Sequence, residues 1–329
     1  TNGVHIGSWL ACELRDLYSR YIGKGFVDQV NQCQVWEKVD NIPDEELWRV
    51  HRYLKEKMID FVRVSLKKQR RRNYELSRRI LEVDEYLSPE VLTIGFARRF
   101  ATYKRATLLF RDRERLSRLV NDPYRPVRFI FAGKAHPADT AGQELIKQIY
   151  DLSNESDFRG KIVILEDYDI HMARHLLQGV DVWLNTPRRL MEASGTSGQK
   201  AALNGVVNVS TLDGWWPEAY DGKNGFAVGT EYEYRDEEVQ DQDDCYSLYS
   251  ILEEKLIPMY YRKQSGLSVE WVQMMKESIK TIAPEFNTNR MVAEYTERFY
   301  VPAIARGLHF THNNYETANR VSAFKRFVR

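Results

Sequence analysis

Five short apolar runs, at residues 91–97, 127–132, 162–165, 180–184 and 206–210, recur between stretches of helical periodicity such as 142–152 and 171–177. The runs are rich in β-branched residues, too short for stable helices, and apolar on both faces, as in strands of a parallel sheet covered on both sides. Parallel neighbours need a crossover, which a helix supplies. The alternation therefore predicts an α/β fold, a Rossmann-like parallel sheet with flanking helices. Ligands of such sheets bind at the carboxyl ends of the strands, so the residues following each run are the ones to examine for chemistry.

Around this core, assigned to residues 91–245, the pattern is helical. In the lead-in segment, 1–90, Leu47, Val50, Leu54, Met58, Phe61 and Val62 follow helical spacing, with Asp44, Glu45 and Glu46 in the first turn, which predicts one long helix over 43–79. The last segment, 246–329, returns to helical periodicity through Leu248, Ile251, Leu252 and Leu256, then Met291, Tyr295 and Phe299. Residues 323–327 still read as helix.

Forty-eight basic residues against 47 acidic ones leave no sequence-wide attraction to nucleic acid or an anionic membrane, so a small molecule or a neutral polymer is the expected partner. The basic run 67–72 reads as a solvated helix face. Cys12, Cys33 and Cys245 have neither metal-ligand nor redox spacing, which suits a reducing cytoplasm. No stretch has the apolar length of a membrane span, and the first residues carry no signal-peptide pattern and no initiator Met. The chain is expected to begin inside a longer protein, although simple Met removal before Thr1 gives the same pattern.

The densest chemical cluster is Glu192-Ala193-Ser194-Gly195-Thr196-Ser197-Gly198-Gln199-Lys200, opening a helix that runs on to Asn204-Gly205. Small residues at a helix start expose N–H groups that suit a phosphate or a sugar hydroxyl, and a lysine one turn in can be desolvated into a reactive amine. A tight turn is the competing reading. The spacing is neither that of a P-loop nor GxGxxG. A second cluster, 95–105, puts Arg98, Arg99, Lys104 and Arg105 where a strand ends and a helix is expected to begin. Such crowding of like charge is costly without nearby acids or a bound anion, and a solvated basic helix start is the competing reading.

Three other features are open to bland readings. His171 and His175 have zinc-pair spacing, but Met172 stands where a metalloprotease carries its Glu. Trp215 and Trp216 fit core or loop anchors better than a sugar platform, and His136 either reaches the site or is solvated.

In its wording the 192–200 segment resembles the pyridoxal phosphate signature of the α-glucan phosphorylases, the glycogen and starch enzymes. Gly95-Phe96-Ala97-Arg98-Arg99-Phe100-Ala101-Thr102-Tyr103-Lys104-Arg105 is similar to that family's phosphate-binding motif. Thr1-Asn2-Gly3, Gly133-Lys134-Ala135, Leu165-Glu166-Asp167-Tyr168 and Thr211-Leu212-Asp213-Gly214 match in the same order. The wording of 183–189 and 213–216 looks like the short, divergent prokaryotic branch.

The resemblance implies the C-terminal domain of a GT-B glycosyltransferase fold, a pyridoxal 5′-phosphate cofactor, and phosphorolysis of an α-1,4-glucan by inorganic phosphate to glucose 1-phosphate. Lys200 matches the Schiff-base lysine. Thr196, Ser197, Arg98 and Tyr168 would surround the cofactor, Arg99 and Lys104 would clamp substrate phosphate, and Asn2, Glu192, Ser194, Gly195 and His136 would meet the sugar. Where the longer enzymes have an arginine near the cofactor phosphate this chain has Asp169, so Arg188 or Arg189 is expected to replace the charge. Gln199 stands in place of Met, and Ser197 in place of Gly. The N-terminal domain, which contributes the rest of the cleft in this family, is absent, so the chain by itself is expected to be inactive. Assembly into a homo-oligomer is left open. The alternatives are a sugar-nucleotide glycosyltransferase of the same architecture and a non-catalytic carbohydrate-binding or regulatory subunit.

Overall fold

The computed structural model describes residues 2–328, so Thr1 of the Thr1-Asn2-Gly3 motif and Arg329 lie outside the described residues. Six strands form one all-parallel sheet in the order β3-β2-β1-β4-β5-β6: β1 Leu92–Ala97, β2 Val127–Ala132, β3 Ile162–Leu165, β4 Val182–Asn185, β5 Val207–Thr211 and β6 Gly225–Val228. The five expected strands are present within two residues. β6, Gly-Phe-Ala-Val, is the addition: only four residues long and opening on a glycine, it offers no β-branched run, and its pairing with β5 makes it a strand.

The chain moves outward from β1 through β2 to β3, then returns to lay β4 on the other side of β1. β1 pairs with β2 along its whole length, from Leu92↔Val127 to Ala97↔Ala132, but with β4 only at Ile94↔Val182 and Gly95↔Trp183. The sheet thus reverses direction between β1 and β4, and a crevice opens beyond their carboxyl ends. Arg98 and Asn185 stand on its two sides.

Helices cover the sheet. The long helix is Asp44–Arg72, and the expected continuation to 79 is broken at Asn73 and Tyr74, the latter at φ +54°, before a separate helix at Ser77–Glu82. Chain direction changes there because the helix end serves the open edge of β3. The buried Gln69 amide donates to the Ile164 carbonyl at 3.2 Å and accepts from the Glu166 N–H at 3.1 Å, pairing as a neighbouring strand would. Much of the basic run is bound locally rather than simply solvated: Lys67 pairs with Asp84, Arg70 lies 5.1 Å over the Tyr86 ring, and Arg72 bridges Glu166 and Asp167.

One hydrophobic cluster includes side chains from Val4 to Ala283, so lead-in, sheet and later helices share a core. The Val301–Val328 helix is different. It carries non-helical backbone at 312–315 and buries no residue, leaving Ile304, Leu308, Phe324 and Phe327 exposed. Among the described residues no helix is long and apolar enough to cross a membrane.

A buried charge cluster fixes the long helix to the amino ends of the central strands. Asp181, at 0% exposure, accepts from Lys55 Nζ at 2.5 Å, His51 Nε2 at 2.9 Å and the Thr93 N–H at 2.7 Å. Lys55 also donates to the Val91 carbonyl and the Tyr260 hydroxyl. Burial by itself would raise the Asp181 pKa, but the Lys55 ammonium and His51 outweigh it and hold the carboxyl below its ordinary range. Asp181→Asn leaves a buried ammonium without its counter-ion and should cost about 3 to 5 kcal/mol in urea denaturation at pH 7. A depressed carboxyl stabilises the fold above its unfolded pKa and loses that contribution as pH falls, so the gap between wild type and variant should close below about pH 4.

Candidate active site

The crevice between β1 and β4 is built from two loops. After Ala97 the chain continues alongside the end of β2, with the Arg98 N–H donating to the Ala132 carbonyl and the Phe100 N–H to the Lys134 carbonyl. Gly133 permits this closeness, since a Cβ there would lie 2.1 Å from the Arg98 carbonyl oxygen. No long helix begins at this point, contrary to expectation. A single turn, Thr102–Lys104, is followed by Arg105 at φ +47°, and the next α-helix is Arg113–Asn121. The buried Arg105 guanidinium explains the arrest: it donates to the Thr186 and Pro187 carbonyls and pairs with Asp241 and Asp244, tying this loop to the one after β4.

The second loop, 186–196, is held by carboxylates that grip its backbone and its arginine. Asp213 accepts from the N–H groups of Leu190 at 2.9 Å and Glu192 at 2.8 Å. Beside it Gly214, at φ +59°, would place a Cβ 2.2 Å from the Ser194 carbonyl oxygen, which accepts from the Trp215 N–H. Arg188 is bound by Asp241 and Glu237.

Within this frame several expected residues converge. Glu192 joins Arg98 at 2.8 Å and Lys104 at 3.0 Å, so the carboxylate answers the crowded positive charge of 98–105. Asn185 Oδ1 accepts from Arg98 Nη1 at 3.3 Å and from the Ser197 hydroxyl at 3.4 Å, linking both motifs. Burial lowers the Arg98 pKa, and its buried Nε has no acceptor. Tyr168 is half-buried near Arg98, and desolvation pushes its hydroxyl up to about 12. Arg189 has buried Nε and Nη1 atoms without acceptors.

Lys200 is the fourth residue of the helix Ser197–Leu203. Its Nζ makes no hydrogen bond or ion pair with a described residue and lies 3.9 Å from the centroid of the Trp9 ring. Burial lowers its pKa. Asn204 fixes this contact: its amide donates to the carbonyls of Lys200 and Trp9, and its oxygen accepts from the Ala11 N–H.

The remaining expected residues are less engaged. Arg99 and His136 are exposed; Arg99 bonds to no described residue, and His136 Nδ1 accepts from the Ala138 N–H. Asn2 is exposed, with its carbonyl accepting from Gln199. Thr196 precedes the Lys200 helix without a side-chain cap bond, Ser194 donates to the Gly195 carbonyl, and Gly195 has φ +75°. Asp169 caps the helix Ile170–Gly179 by accepting from the Met172 N–H.

Other features resolve as packing. His171 and His175 contact each other and Phe61, which stacks on His175 at 4.2 Å, and the described residues contain no group of three or more potential metal ligands. Trp215 and Trp216 are buried beside Phe286 and offer no sugar platform. Sequence reasoning missed Trp9, Asp213, Asp241 and Asn204 as shaping residues. Asp213 and Asn204 lay in quoted motifs, but their bonds cross 21 positions to Glu192 and 195 to Trp9.

The Trp9 ring covers one side of the Lys200 amine. Trp9→Ala should raise the Lys200 pKa, and the pH midpoint of Lys200 acylation by acetic anhydride, followed by mass spectrometry, should move upward.

Comparison with known proteins accounts for this arrangement. The family model for carbohydrate phosphorylases matches residues 1–255. The chain is 46% identical over 325 residues to the maltodextrin phosphorylase of Thermococcus litoralis, a match covering 99% of this chain and 38% of that protein. It is 44% identical over 301 residues to the glycogen phosphorylase of Aquifex aeolicus, covering 91% of this chain and 43% of the relative. Identity to the glycogen phosphorylase of Mycobacterium bovis is 36% over 327 residues, 99% of this chain and 38% of that protein. The chain therefore spans less than half the length of these curated relatives. With a matching family model over most of its length and an α/β parallel sheet carrying the convergent loops, the chain belongs to the carbohydrate phosphorylase family.

Proposed function

We propose that this chain supplies the cofactor- and phosphate-binding part of an α-1,4-glucan phosphorylase, with pyridoxal 5′-phosphate held at Lys200. The observation that carries the reading is the Lys200 amine, partly buried and without a hydrogen-bond acceptor among the described residues, on a helix whose preceding loop meets Arg98 and Lys104. The donor set fits an anionic carbonyl compound: an amine with lowered pKa, and buried Arg98 and Arg189 nitrogens that lack acceptors.

A lowered pKa keeps a larger fraction of Nζ neutral, and the neutral amine is the nucleophile toward a carbonyl. Trp9 covers one side of that amine. Thr196 and Ser197, with the N–H groups opening the helix, and Arg98 and Tyr168 would hold the cofactor. When bound, the cofactor supplies a phosphate group as proton partner to the substrate phosphate. Arg99 and Lys104 clamp that substrate phosphate, and its arrival competes with Glu192 for Lys104. The released Glu192 carboxylate then accepts from a sugar hydroxyl, with Ser194, Gly195, Asn2 and His136 as further sugar contacts. The residues act by positioning and by charge stabilisation.

The names of the relatives support glycogen or maltodextrin as the glucan, with inorganic phosphate as co-substrate and glucose 1-phosphate as product. The length those relatives have beyond this match would complete the cleft, and the exposed apolar side chains of Val301–Val328 suit packing against it. The three cysteines are free, which agrees with a reducing cytoplasm.

Incubation with pyridoxal phosphate, borohydride reduction and peptide mapping should modify Lys200, and Lys200→Arg should abolish specific labelling. Labelling spread over surface lysines would sink the cofactor assignment. The chain alone should release no glucose 1-phosphate from glucan and phosphate. Robust release would overturn the view that the rest of the relatives' length completes the site.

A further inference from the structure

The loop after β4 carries two adjacent arginines in opposite surroundings. All three guanidinium nitrogens of Arg188 have carboxylate partners: Nε and Nη2 donate to Asp241 at 3.2 and 2.7 Å, and Nη1 meets Glu237 at 2.6 Å. Its N–H also donates to the Tyr103 carbonyl at 2.7 Å, next to Lys104. Asp241 binds Arg105 as well, so one carboxylate joins the two site loops. Arg189, one residue on, is the only arginine among the described residues with two buried nitrogens, Nε and Nη1, that lack an acceptor.

A guanidinium stays protonated at any ordinary pH, so it cannot escape an unpaired environment by losing charge. Buried unpaired N–H groups of that kind call for an anion, and the planar fork suits two oxygens of one phosphate. Across the crevice Arg98 Nε is also buried and unpaired, while Asn185 links Arg98 to Ser197 at the start of the Lys200 helix. An anion bound here needs a compensating cation that is not already neutralised. Of the two adjacent arginines, only Arg189 meets that condition.

We infer that Arg189 binds the phosphate monoester of the cofactor held at Lys200, and that Arg188, through Asp241, is the strut that presents it. The inference rests on the cofactor reading above and divides between two neighbours a task that sequence leaves undivided. Arg189 contributes charge and direction to the ligand. Arg188 contributes only the shape of the loop.

The test compares pyridoxal 5′-phosphate with pyridoxal, which keeps the aldehyde and lacks the phosphate. The whole chain is titrated with each compound, reduced with borohydride, and Lys200 occupancy is read by mass spectrometry. In wild type the phosphate ester should be captured at far lower concentration than pyridoxal. Arg189→Ala should raise the half-saturating concentration of the phosphate ester by about 10- to 100-fold, the worth of a charge-assisted contact, and leave pyridoxal capture unchanged. Arg189→Lys, which keeps the charge, should restore part of that preference. Arg188→Ala should lower the urea midpoint and weaken both compounds together.

An Arg189→Ala variant that labels at Lys200 with the wild-type preference overturns the inference. So does one that loses both compounds equally, since the arginine is then structural. Absence of specific Lys200 labelling in wild type overturns the cofactor reading itself, and with it this division of roles.

Discussion

The Asp181 carboxylate is the point on which the sheet and its longest helix depend. A charge with no exposure is tolerable only when paired and hydrogen-bonded, and here Lys55, His51 and the Thr93 N–H do both. The bonds join the Asp44–Arg72 helix to the amino ends of β1 and β4. Those two strands share only two register pairs, so a bond at their base has unusual leverage over their spacing. Their other ends carry Arg98 and Asn185. The cluster at one end of the sheet therefore governs the crevice at the other.

The crevice is shaped by a second kind of carboxylate. Asp213 grips two backbone N–H groups of the loop bearing Glu192, and Asp241 grips Arg105 and Arg188. These acids spend their charge on loop geometry. Glu192 instead shares its charge between Arg98 and Lys104. Lys200 pairs with no acid among the described residues and lies against the Trp9 ring, so burial dominates its titration. Loop geometry, a shared carboxylate and a partly buried amine are three uses of charge around one crevice.

Expectation and structure part at identifiable residues. The strands at 127–132 and 162–165 were legible because apolar runs buried on both faces have few other uses. β6 was not, because Gly225 and its short span hide a strand that only pairing with β5 creates. The helix expected over 43–79 ends at Arg72. The break at Asn73 and Tyr74 follows from the service of Gln69 and Arg72 to the β3 edge. A helix was expected to begin within 95–105, whereas Arg105 is drawn into a left-handed turn by Asp241 and Asp244 far along the chain.

The parallel α/β sheet, the two loops where chemistry gathers, and the wording that ties them to phosphorylases are legible in the residues alone. Those features are local: period, run length and residue type are read within a few positions. That Trp9 faces Lys200, that Asp213 and Asp241 hold the loops, and that Arg188 is paired with acids while two buried Arg189 nitrogens have no partner among the described residues, emerges only on packing. Each of these depends on groups separated by tens to hundreds of residues or on which nitrogen remains buried without a partner. Burial and partner choice arise only when the whole chain has packed, so no local pattern can encode them.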